Sequence, residues 1–336
     1  MAQILAIETS CDDTSAAVVK DGHEVLSNII STQTEFHKKY GGIVPEIAAR
    51  KHIEVINPII QEALDQAKTT FKKIDAVAVT YGPGLAGSLL IGLCSAKAIA
   101  YAANKPLIGI NHLEGHIYAN FLSSPTSHLS SLFPFICLIV SGGHTMIVLV
   151  KDHGKYEIIG RTRDDAVGEA FDKVARFLGL GYPGGPIIDK IAKEGNPAAI
   201  NFTRPMLDDG FDFSFSGIKT AVVNCIRNLG GTRNLFSGGT QISDLAASFQ
   251  QACVDVLVTK TIRAAKKFKI DTIMLAGGVA ANSLLRKELM TKAKAIIPPL
   301  GLCTDNAAMI GAAAFYKYKK KDFAELDLKP IANLSL

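Results

Sequence analysis

Four apolar runs, each followed at once by a turn of small or polar residues, set the strongest limit on how this chain can fold. The runs cover residues 4–7, 76–79, 135–140 and 272–275, and the turns begin at residues 8, 81, 141 and 276. Continuous apolar runs predict strands that are covered on both faces. Helices between the strands would supply that cover, so the sequence predicts an α/β fold.

The same runs form a weak internal repeat. Residues 7–10 resemble residues 139–142 at an offset of 132, and residues 74–82 resemble residues 270–278 at an offset of 196. The second half then carries about 64 additional residues, which the segment at about 161–241 can accommodate. Repeats this faint also arise by chance, so a fold without duplication stays the alternative.

A true duplication would give two similar lobes that face each other across a cleft. We expect a first lobe of residues 1–128 plus about 306–330, and a second lobe of residues 129–305 that contains the insertion. The chain has 336 residues, of which 48% are hydrophobic, so each lobe can bury its own core. Charged residues make up 20%, which excludes a wholly disordered protein.

The formal charge of +5 is compatible with an RNA partner but falls short of a nucleic-acid signature. The six cysteines are isolated, without a C-x-x-C pair, which argues against a zinc ribbon and favours reduced thiols in a cytoplasmic protein. Residues 1–5 lack a basic region and predict a strand instead of a signal peptide. The apolar stretch at 89–103 contains Lys97, so we expect a buried helix and no membrane span.

Two further segments have a recognisable pattern. Residues 45–67 predict a helix, and Pro58 within it predicts a kink or a pair of helices. Core packing is the simple interpretation of its apolar stripe, and docking of a partner is the alternative. Residues 230–240 are rich in glycine and predict a mobile loop.

His112 and His116 are the sharpest local feature. Histidines four apart on a helix share a face, and their imidazoles can reach one cation. Glu114 lies off that face and the order is not H-E-x-x-H, so the zincin protease motif is absent. Asp305 is a candidate third ligand. The alternative is that Asp305 caps the small-residue helix that follows it.

Glycine-rich turns follow two of the apolar runs, at residues 141–145 and 276–282. Glycine lets backbone N–H groups approach an anion closely, so these turns could bind phosphate, although tight structural turns are the alternative. No Walker A sequence occurs, nor a Rossmann glycine pattern. The first turn differs because Glu8, Asp12 and Asp13 make it acidic. Such carboxylates could bind a cation, orient water or act as a base, or the turn could be merely solvated.

Eight motifs occur together in order along the chain, at residues 8–14, 112–116, 140–145, 161–173, 182–186, 213–217, 276–282 and 304–306. This set resembles that of the bacterial tRNA N6-adenosine threonylcarbamoyltransferases, a family once described as glycoproteases. The resemblance runs from Ile4 to about Tyr316. One departure is Asp13, where many bacterial relatives have glutamate, and the charge is kept.

The resemblance implies an actin-like ATPase fold, duplicated and two-lobed. It also implies transfer of a threonylcarbamoyl group from threonylcarbamoyl-adenylate, with release of AMP. The acceptor would be N6 of the adenosine on the 3′ side of the anticodon (position 37) in tRNAs that read ANN codons.

The resemblance also assigns residues. The family's metal ligands correspond to His112, His116 and Asp305, with Fe²⁺ as the expected ion and Zn²⁺ as the alternative. The nucleotide-contacting hairpin corresponds to Val140, Ser141, Gly142, Gly143 and His144. Further contacts to the adenylate correspond to Asp172, Gly185, Asp189 and Asn282. We choose Asp12 as the residue that orients the acceptor amine or takes its proton.

Besides tRNA, the resemblance implies a paralogous actin-like partner subunit and a small ATPase. Two other functions remain as alternatives. A metal-dependent glycoprotein endopeptidase would use the two histidines, and a regulatory nucleotide-binding protein of the same fold would yield no tRNA product.

Overall fold

The computed structural model describes residues 1–122, 132–228 and 242–336. The chain divides into two compact units, here called unit 1 (Met1–Leu132 with Pro298–Leu336) and unit 2 (Phe133–Ile297). The chain returns to unit 1 at Pro298, earlier than the predicted return at about residue 306. Asp305, which the sequence predicts in the second lobe, therefore belongs to unit 1. The glycine-rich segment 230–240 lies outside the described residues.

Unit 1 is built on a five-stranded sheet in the order β3-β2-β1-β4-β5. Its strands are β1 (Gln3–Glu8), β2 (Thr14–Lys20), β3 (Glu24–Ser31), β4 (Ala76–Gly82) and β5 (Leu107–Asn111). Its helices are α1 (Thr34–Lys38), α2 (Pro45–Gln66), α3 (Ala86–Ala103) and α4 (His112–Tyr118), with a later one that follows unit 2 in the chain. β1, β4 and β5 run parallel, and β2 and β3 are antiparallel to their neighbours. The carboxyl ends of the three parallel strands therefore meet at one edge.

Unit 2 repeats this plan, with the sheet order β10-β9-β6-β7-β8. Its strands are β6 (Phe135–Val140), β7 (Thr145–Asp152), β8 (Lys155–Arg161), β9 (Thr272–Ala276) and β10 (Lys294–Ile296). Its described helices are α5 (Val167–Phe177), α6 (Gly184–Ala192), α7 (Ser216–Asn228), α8 (Ile242–Phe268) and α9 (Ser283–Lys292). The helix α10 (Ala307–Lys320) then returns to unit 1, where it packs on β1 and β2.

The equal strand order and strand directions support the internal repeat and correct its alignment. Ile4 pairs with Ala76 in β4, and its counterpart Ile136 pairs with Ile273 in β9. The strand pairing therefore relates β4 to β9 by 197 residues, whereas the sequence alignment used 196. Residues 32–75 join β3 to β4 through two helices, and residues 162–271 join β8 to β9 through at least four. Assignment of the additional residues to an insertion at 161–241 stays a prediction.

Two helices of unit 1 differ from expectation. α2 is one helix that continues through Pro58, so the alternative of a helix pair is wrong. Proline removes one backbone hydrogen bond, but the buried residues Ile56, Ile59 and Ile60 hold the helix on both sides of it in the core. α3 is buried along one face only, and Leu90 and Tyr101 on its other face are exposed.

α3 is also the one helix among the described residues with the length and hydropathy of a membrane span. It packs against β4 and α2 as a layer of the α/β unit. Length and composition alone are therefore weak evidence for a membrane segment here, since core helices pass the same test.

Candidate metal centre

The two histidines lie at the carboxyl edge of the unit 1 sheet. β5 ends at Asn111, whose side chain accepts the N–H of Leu113 at 2.9 Å and so caps α4. The helix begins at His112, and His116 follows one turn later on the same face. Both rings are buried, and their centroids are 4.6 Å apart. The predicted helical pair is therefore formed.

Asp305 reaches these histidines from the residue pair that precedes α10. Its Oδ1 lies 3.3 Å from His116 Nε2 and 3.5 Å from His112 Nε2. Asn306, and not Asp305, caps α10, because the Asn306 side chain accepts the N–H of Met309 at 3.0 Å. The alternative interpretation of Asp305 as the helix cap is therefore wrong, and its carboxylate is directed to the histidines.

Gly115 explains why α4 and α10 come close enough for this contact. A Cβ atom at Gly115 would lie 2.6 Å from Ile310 Cδ1 of α10, so the absence of a side chain lets the two helices touch. Gly311 plays the same part on the other side of α10, where a Cβ would lie 2.6 Å from Val19 of β2. The glycine within the H-x-x-G-H sequence thus helps to set the position of the third ligand.

The residues present fit a divalent cation. One atom from each of His112, His116 and Asp305 lies within 4.8 Å of the others. Among the described residues Nδ1 of His116 is buried without a hydrogen-bond partner, and Nε2 faces only the Asp305 carboxylate at 3.3 Å, so the ring is poorly satisfied unless another ligand binds. Two imidazole nitrogens and one carboxylate oxygen suit both Fe²⁺ and Zn²⁺, so the donor set does not choose between the two ions.

The protonation of the two histidines differs. Burial opposes a charge on His112, but the carboxylates of Asp305 and Glu8 outweigh it and raise its pKa to about 9. Burial lowers the pKa of His116, even though Asp305 is close. Without a cation, the positive charge of the pair therefore resides on His112.

Glu8 contacts the centre in a way that sequence reasoning missed. It is the last residue of β1, it is fully buried, and its Oε2 lies 3.0 Å from His112 Nδ1. Ser10 Oγ lies 3.0 Å from the same nitrogen. The sequence places Glu8 in an acidic turn that could bind a cation, orient water or act as a base, but it does not predict the contact with His112. The order of β1, β4 and β5 in the sheet is what brings Glu8 beside His112, and sequence spacing alone does not show that order.

Asp12 and Asp13 lie in the turn that follows. Burial raises the pKa of Asp12, and the nearby Asp305 carboxylate adds to the effect. Burial and the charge of Asp12 raise the pKa of Asp13 to about 7. His52 of α2 fixes this turn, with ring nitrogens 2.7 Å from Thr14 Oγ1 and 2.9 Å from the Cys11 carbonyl oxygen. The turn is held by the fold and is not merely solvated.

The predicted hairpin lies in unit 2, between β6 and β7. The Ser141 N–H donates to the carbonyl oxygen of His144 at 2.8 Å, and the His144 N–H donates to Ser141 Oγ at 3.1 Å. Gly142 and Gly143 between them are exposed, and a Cβ at either would meet no atom within 4 Å. The hairpin therefore presents open backbone to a ligand.

Other predicted residues lie near the carboxyl ends of β6 and β9. Gly277, at φ +92°, comes so close to Val140 that a Cβ would lie 2.4 Å from the Val140 carbonyl oxygen. Asn282 caps α9 by accepting the Leu285 N–H at 2.9 Å, and it donates to Gln250 at 2.8 Å. An amide can make four hydrogen bonds, so Asn282 retains capacity for a ligand.

The two acidic residues of this group are connected to helix N-termini. Asp172 Oδ1 accepts the Gly184 N–H at 2.7 Å at the start of α6, which also carries Gly185 and Asp189. Asp189 Oδ1 accepts the N–H and the hydroxyl of Ser283 at 3.1 and 2.8 Å. Asp172, α6, Asp189 and the start of α9 therefore form one connected group, and their contact with an adenylate stays a prediction.

Solved structures share this fold. Component A of the (R)-2-hydroxyglutaryl-CoA dehydratase of Acidaminococcus fermentans matches with a TM-score of 0.56 and 16% identity, over 96% of this chain and 100% of that chain. HypF of T. kodakarensis matches with a TM-score of 0.63 and 13% identity, over 97% of this chain and 49% of that chain. At such identities the likeness concerns the fold alone. The chain is thus a protein of the actin-like ATPase fold whose unit 1 carries a buried group of two histidines and a carboxylate.

Sequence comparison defines the family. The TsaD family profile, tRNA N6-adenosine threonylcarbamoyltransferase, matches residues 24–312. A protein of that description from Clostridium botulinum (strain 657 / Type Ba4) is 57% identical over 339 residues, covering 99% of this chain and 97% of its own. A relative from Clostridium perfringens is 55% identical, with 99% of this chain and 98% of its own length covered. The chain belongs to the tRNA N6-adenosine threonylcarbamoyltransferase family, which confirms the resemblance, and it is a transferase of that kind.

Proposed function

We propose that this chain transfers the threonylcarbamoyl group of threonylcarbamoyl-adenylate to N6 of the adenosine 3′ of the anticodon in tRNAs that read ANN codons. The N6 nitrogen forms a bond to the carbamoyl carbon, the bond from that carbon to the phosphate oxygen breaks, and AMP leaves as the amine loses a proton. The observation that carries the proposal is that the buried side chains of His112 and His116 lie beside Asp305 in a chain of this family.

His112, His116 and Asp305 would hold one divalent cation, with Fe²⁺ first and Zn²⁺ as the alternative. When bound, a cation of this kind supplies Lewis-acid stabilisation of negative charge on phosphate and carbamoyl oxygens. The protein's own part is to hold three donor groups in place, with both histidines buried and Asp305 partly exposed. Because His112 and His116 are buried in one short helix, little rearrangement would be needed to present both.

Asp12 is our choice for the residue that orients the acceptor amine or accepts its proton. The lone pair of the N6 amine is delocalised into the purine, so the amine is a weak nucleophile and its positioning should supply much of the rate. Burial and Asp305 raise the pKa of Asp12, which brings its basicity closer to that of an effective base at neutral pH.

Unit 2 would contact the adenylate through the hairpin at residues 140–144 and the connected group of Asp172, Gly185, Asp189 and Asn282. The open backbone at Gly142 and Gly143 supports a phosphate contact, because N–H groups there can approach an anion. The carboxylates of Asp172 and Asp189 would suit ribose hydroxyls. Both already accept hydrogen bonds from the protein, which fixes their orientation.

The proposed partners are a tRNA and two further proteins. The family description implies a tRNA substrate. A paralogous actin-like subunit and a small ATPase would join it in the cytoplasm, without a membrane. The outer side of α2, where Ile53 is 60% exposed, is the face that we propose for docking of such a subunit.

The two rival functions have less support. An endopeptidase of the zincin type needs a glutamate base beside the histidines. Glu114, the acidic residue between them in sequence, is buried and lies 3.8 Å from Lys317 Nζ. A regulatory nucleotide-binding protein would leave the buried group of two histidines and Asp305 without a use.

Mass spectrometry of nucleosides from tRNA distinguishes the proposed transferase from the two rival functions. The protein is incubated with tRNA, threonylcarbamoyl-adenylate and the partner subunits, and the tRNA is then digested. Threonylcarbamoyladenosine in the digest supports the proposal. Cleavage of a glycoprotein by the pure chain, or nucleotide binding without a modified nucleoside, would overturn it in favour of the first or second rival.

A further inference from the structure

Glu8 is a charged side chain with no access to solvent, at the carboxyl end of β1. A buried carboxylate costs free energy unless donors surround it. Here Thr80 of β4 donates its hydroxyl to Oε2 at 2.6 Å, and the Ser10 N–H donates to Oε1. The third neighbour is His112 Nδ1, 3.0 Å from Oε2.

The position of these groups follows from the sheet. Ile7 of β1 pairs with Val79 of β4, and Thr80 pairs with Ile110 of β5. Glu8 is therefore one residue beyond the Ile7–Val79 pair, and His112 begins α4 two residues beyond Ile110, the partner of Thr80. The rigid strand ends, and not a flexible loop, set the distance from the carboxylate to the imidazole.

The contact also determines which imidazole nitrogen carries hydrogen. An ionised carboxylate only accepts hydrogen bonds, so Nδ1 of His112 must carry the proton in this contact. Nε2 is then the nitrogen with a free lone pair when the ring is neutral, and Nε2 is the atom that lies 3.5 Å from Asp305 Oδ1. Within the described residues His116 has no comparable partner, because its Nδ1 is buried without a hydrogen bond.

We propose that Glu8 is a positioning residue of the metal centre: it fixes the tautomer and orientation of His112 so that Nε2 is presented to the cation. Carboxylates that accept the second N–H of a ligating histidine hold the ring and make it a stronger donor. The inference rests on the proposed metal centre and extends it to a residue that is not itself a ligand. It also makes the two histidines unequal, because Glu8 fixes the Nδ1 side of His112 whereas no described residue does so for His116.

A purely structural role for Glu8 is the competing explanation, because it also ties β1 to Thr80 and Ser10. The two explanations differ in what they predict for metal affinity. A structural residue changes the stability of unit 1 and leaves the affinity of folded protein for the ion unchanged. A positioning residue changes the affinity even where the fold is intact.

The test measures Zn²⁺ and Co²⁺ affinity of the full chain by competition with a chromogenic chelator, for wild type, Glu8→Gln and Glu114→Gln. Glu8→Gln keeps the shape and an oxygen for Thr80 but removes the charge that holds the Nδ1 hydrogen. We expect a loss of about 10–100-fold in affinity and a changed absorption spectrum of the Co²⁺ protein. Glu114→Gln removes another buried carboxylate from the same region and should leave the affinity within about twofold of wild type.

A double-mutant cycle keeps the inference testable if Glu8→Gln also lowers stability. In a His112→Ala background, Glu8→Gln should cause no further loss of the residual affinity, because its effect passes through the missing ring. Equal affinity in wild type and folded Glu8→Gln would overturn the positioning role alone. Absence of metal binding by wild type would instead overturn the proposed metal centre.

Discussion

Oδ1 of Asp305 lies 3.3 Å from Nε2 of His116. The two residues are far apart in the sequence, since His116 belongs to α4 and Asp305 lies just before α10. The contact depends on α10 returning to unit 1 after unit 2 is complete, and on Gly115 letting α4 touch α10. It places a buried imidazole, whose Nδ1 has no hydrogen-bond partner in the described part of the chain, against a carboxylate. A divalent cation would satisfy both groups.

Substitutions of Asp305 and Asn306 should have different effects, because Asp305 is a proposed metal ligand and Asn306 caps α10. Asp305→Asn should abolish detectable Zn²⁺ binding with little change in stability, since the cap of α10 remains. Asn306→Ala should lower the free energy of unfolding by about 1 kcal/mol and retain the metal affinity. Urea unfolding and chelator competition on the same samples check both. Loss of metal binding in Asn306→Ala alone would contradict the assignment.

The chelator-treated protein should lose stability as pH rises from 6.5 towards 9. The pKa of His112 is raised to about 9 from an ordinary value near 6.5, so its stabilising charge is fully present below 6.5 and is lost as pH rises through the folded value. The expected loss is on the order of 1–3 kcal/mol, measured by urea unfolding at each pH. A stability that stays flat or rises over this range in wild type, or falls equally in His112→Gln, would count against the His112 assignment.

Asp12→Asn should reduce kcat for tRNA modification by about 100-fold and leave the metal content unchanged. The reason is that the carboxylate acts on the acceptor amine and not on the cation. Steady-state kinetics with threonylcarbamoyl-adenylate, together with metal analysis, provide the measurement. Asp13→Asn, which alters the next carboxylate in the same turn, is the matched variant and should lose less. Full activity of Asp12→Asn would remove Asp12 from the mechanism.

Two glycines in unit 2 should respond differently to alanine. Gly277→Ala places a Cβ against the Val140 carbonyl at a positive φ, so it should destabilise the protein by more than about 1 kcal/mol. Gly142→Ala meets no atom, so it should fold as wild type does but weaken binding of a non-hydrolysable adenylate analogue. Thermal unfolding and calorimetric titration give the two readouts. Unchanged analogue affinity in Gly142→Ala would argue against the hairpin as a phosphate contact.

The sequence predicted much of the fold for a simple reason. Buried parallel strands are continuous apolar runs, and β1, β4, β6 and β9 all have this pattern. The register of such strands is harder to predict, because an apolar run shifted by one residue is still apolar. The predicted offset between β4 and β9 was therefore wrong by one residue. Pro58 shows a second limit: local propensity predicted a kink or a pair of helices, but burial of α2 along the core keeps it one helix despite the lost hydrogen bond.

The candidate site was predictable to a smaller extent. The spacing of His112 and His116 follows from helix periodicity, whereas Asp305 needed the family resemblance to choose it over a role as helix cap. Capping depends on which residue stands immediately before the first helical turn, and that is Asn306. The contact of Glu8 with His112 depends on the order of three strands in the sheet, which no local pattern in the sequence encodes.

Metal content is the most direct test of whether His112 binds an ion that tRNA modification requires. Wild type and His112→Ala are purified, stripped, reloaded anaerobically with Fe²⁺ or with Zn²⁺ and measured by elemental analysis, and the same samples are assayed for threonylcarbamoyladenosine in tRNA. We predict one ion per wild-type chain, and a folded His112→Ala protein with well below one ion per chain and no modified tRNA. A His112→Ala protein that keeps a full ion and modifies tRNA at the wild-type rate would contradict the assignment of His112 as a metal ligand.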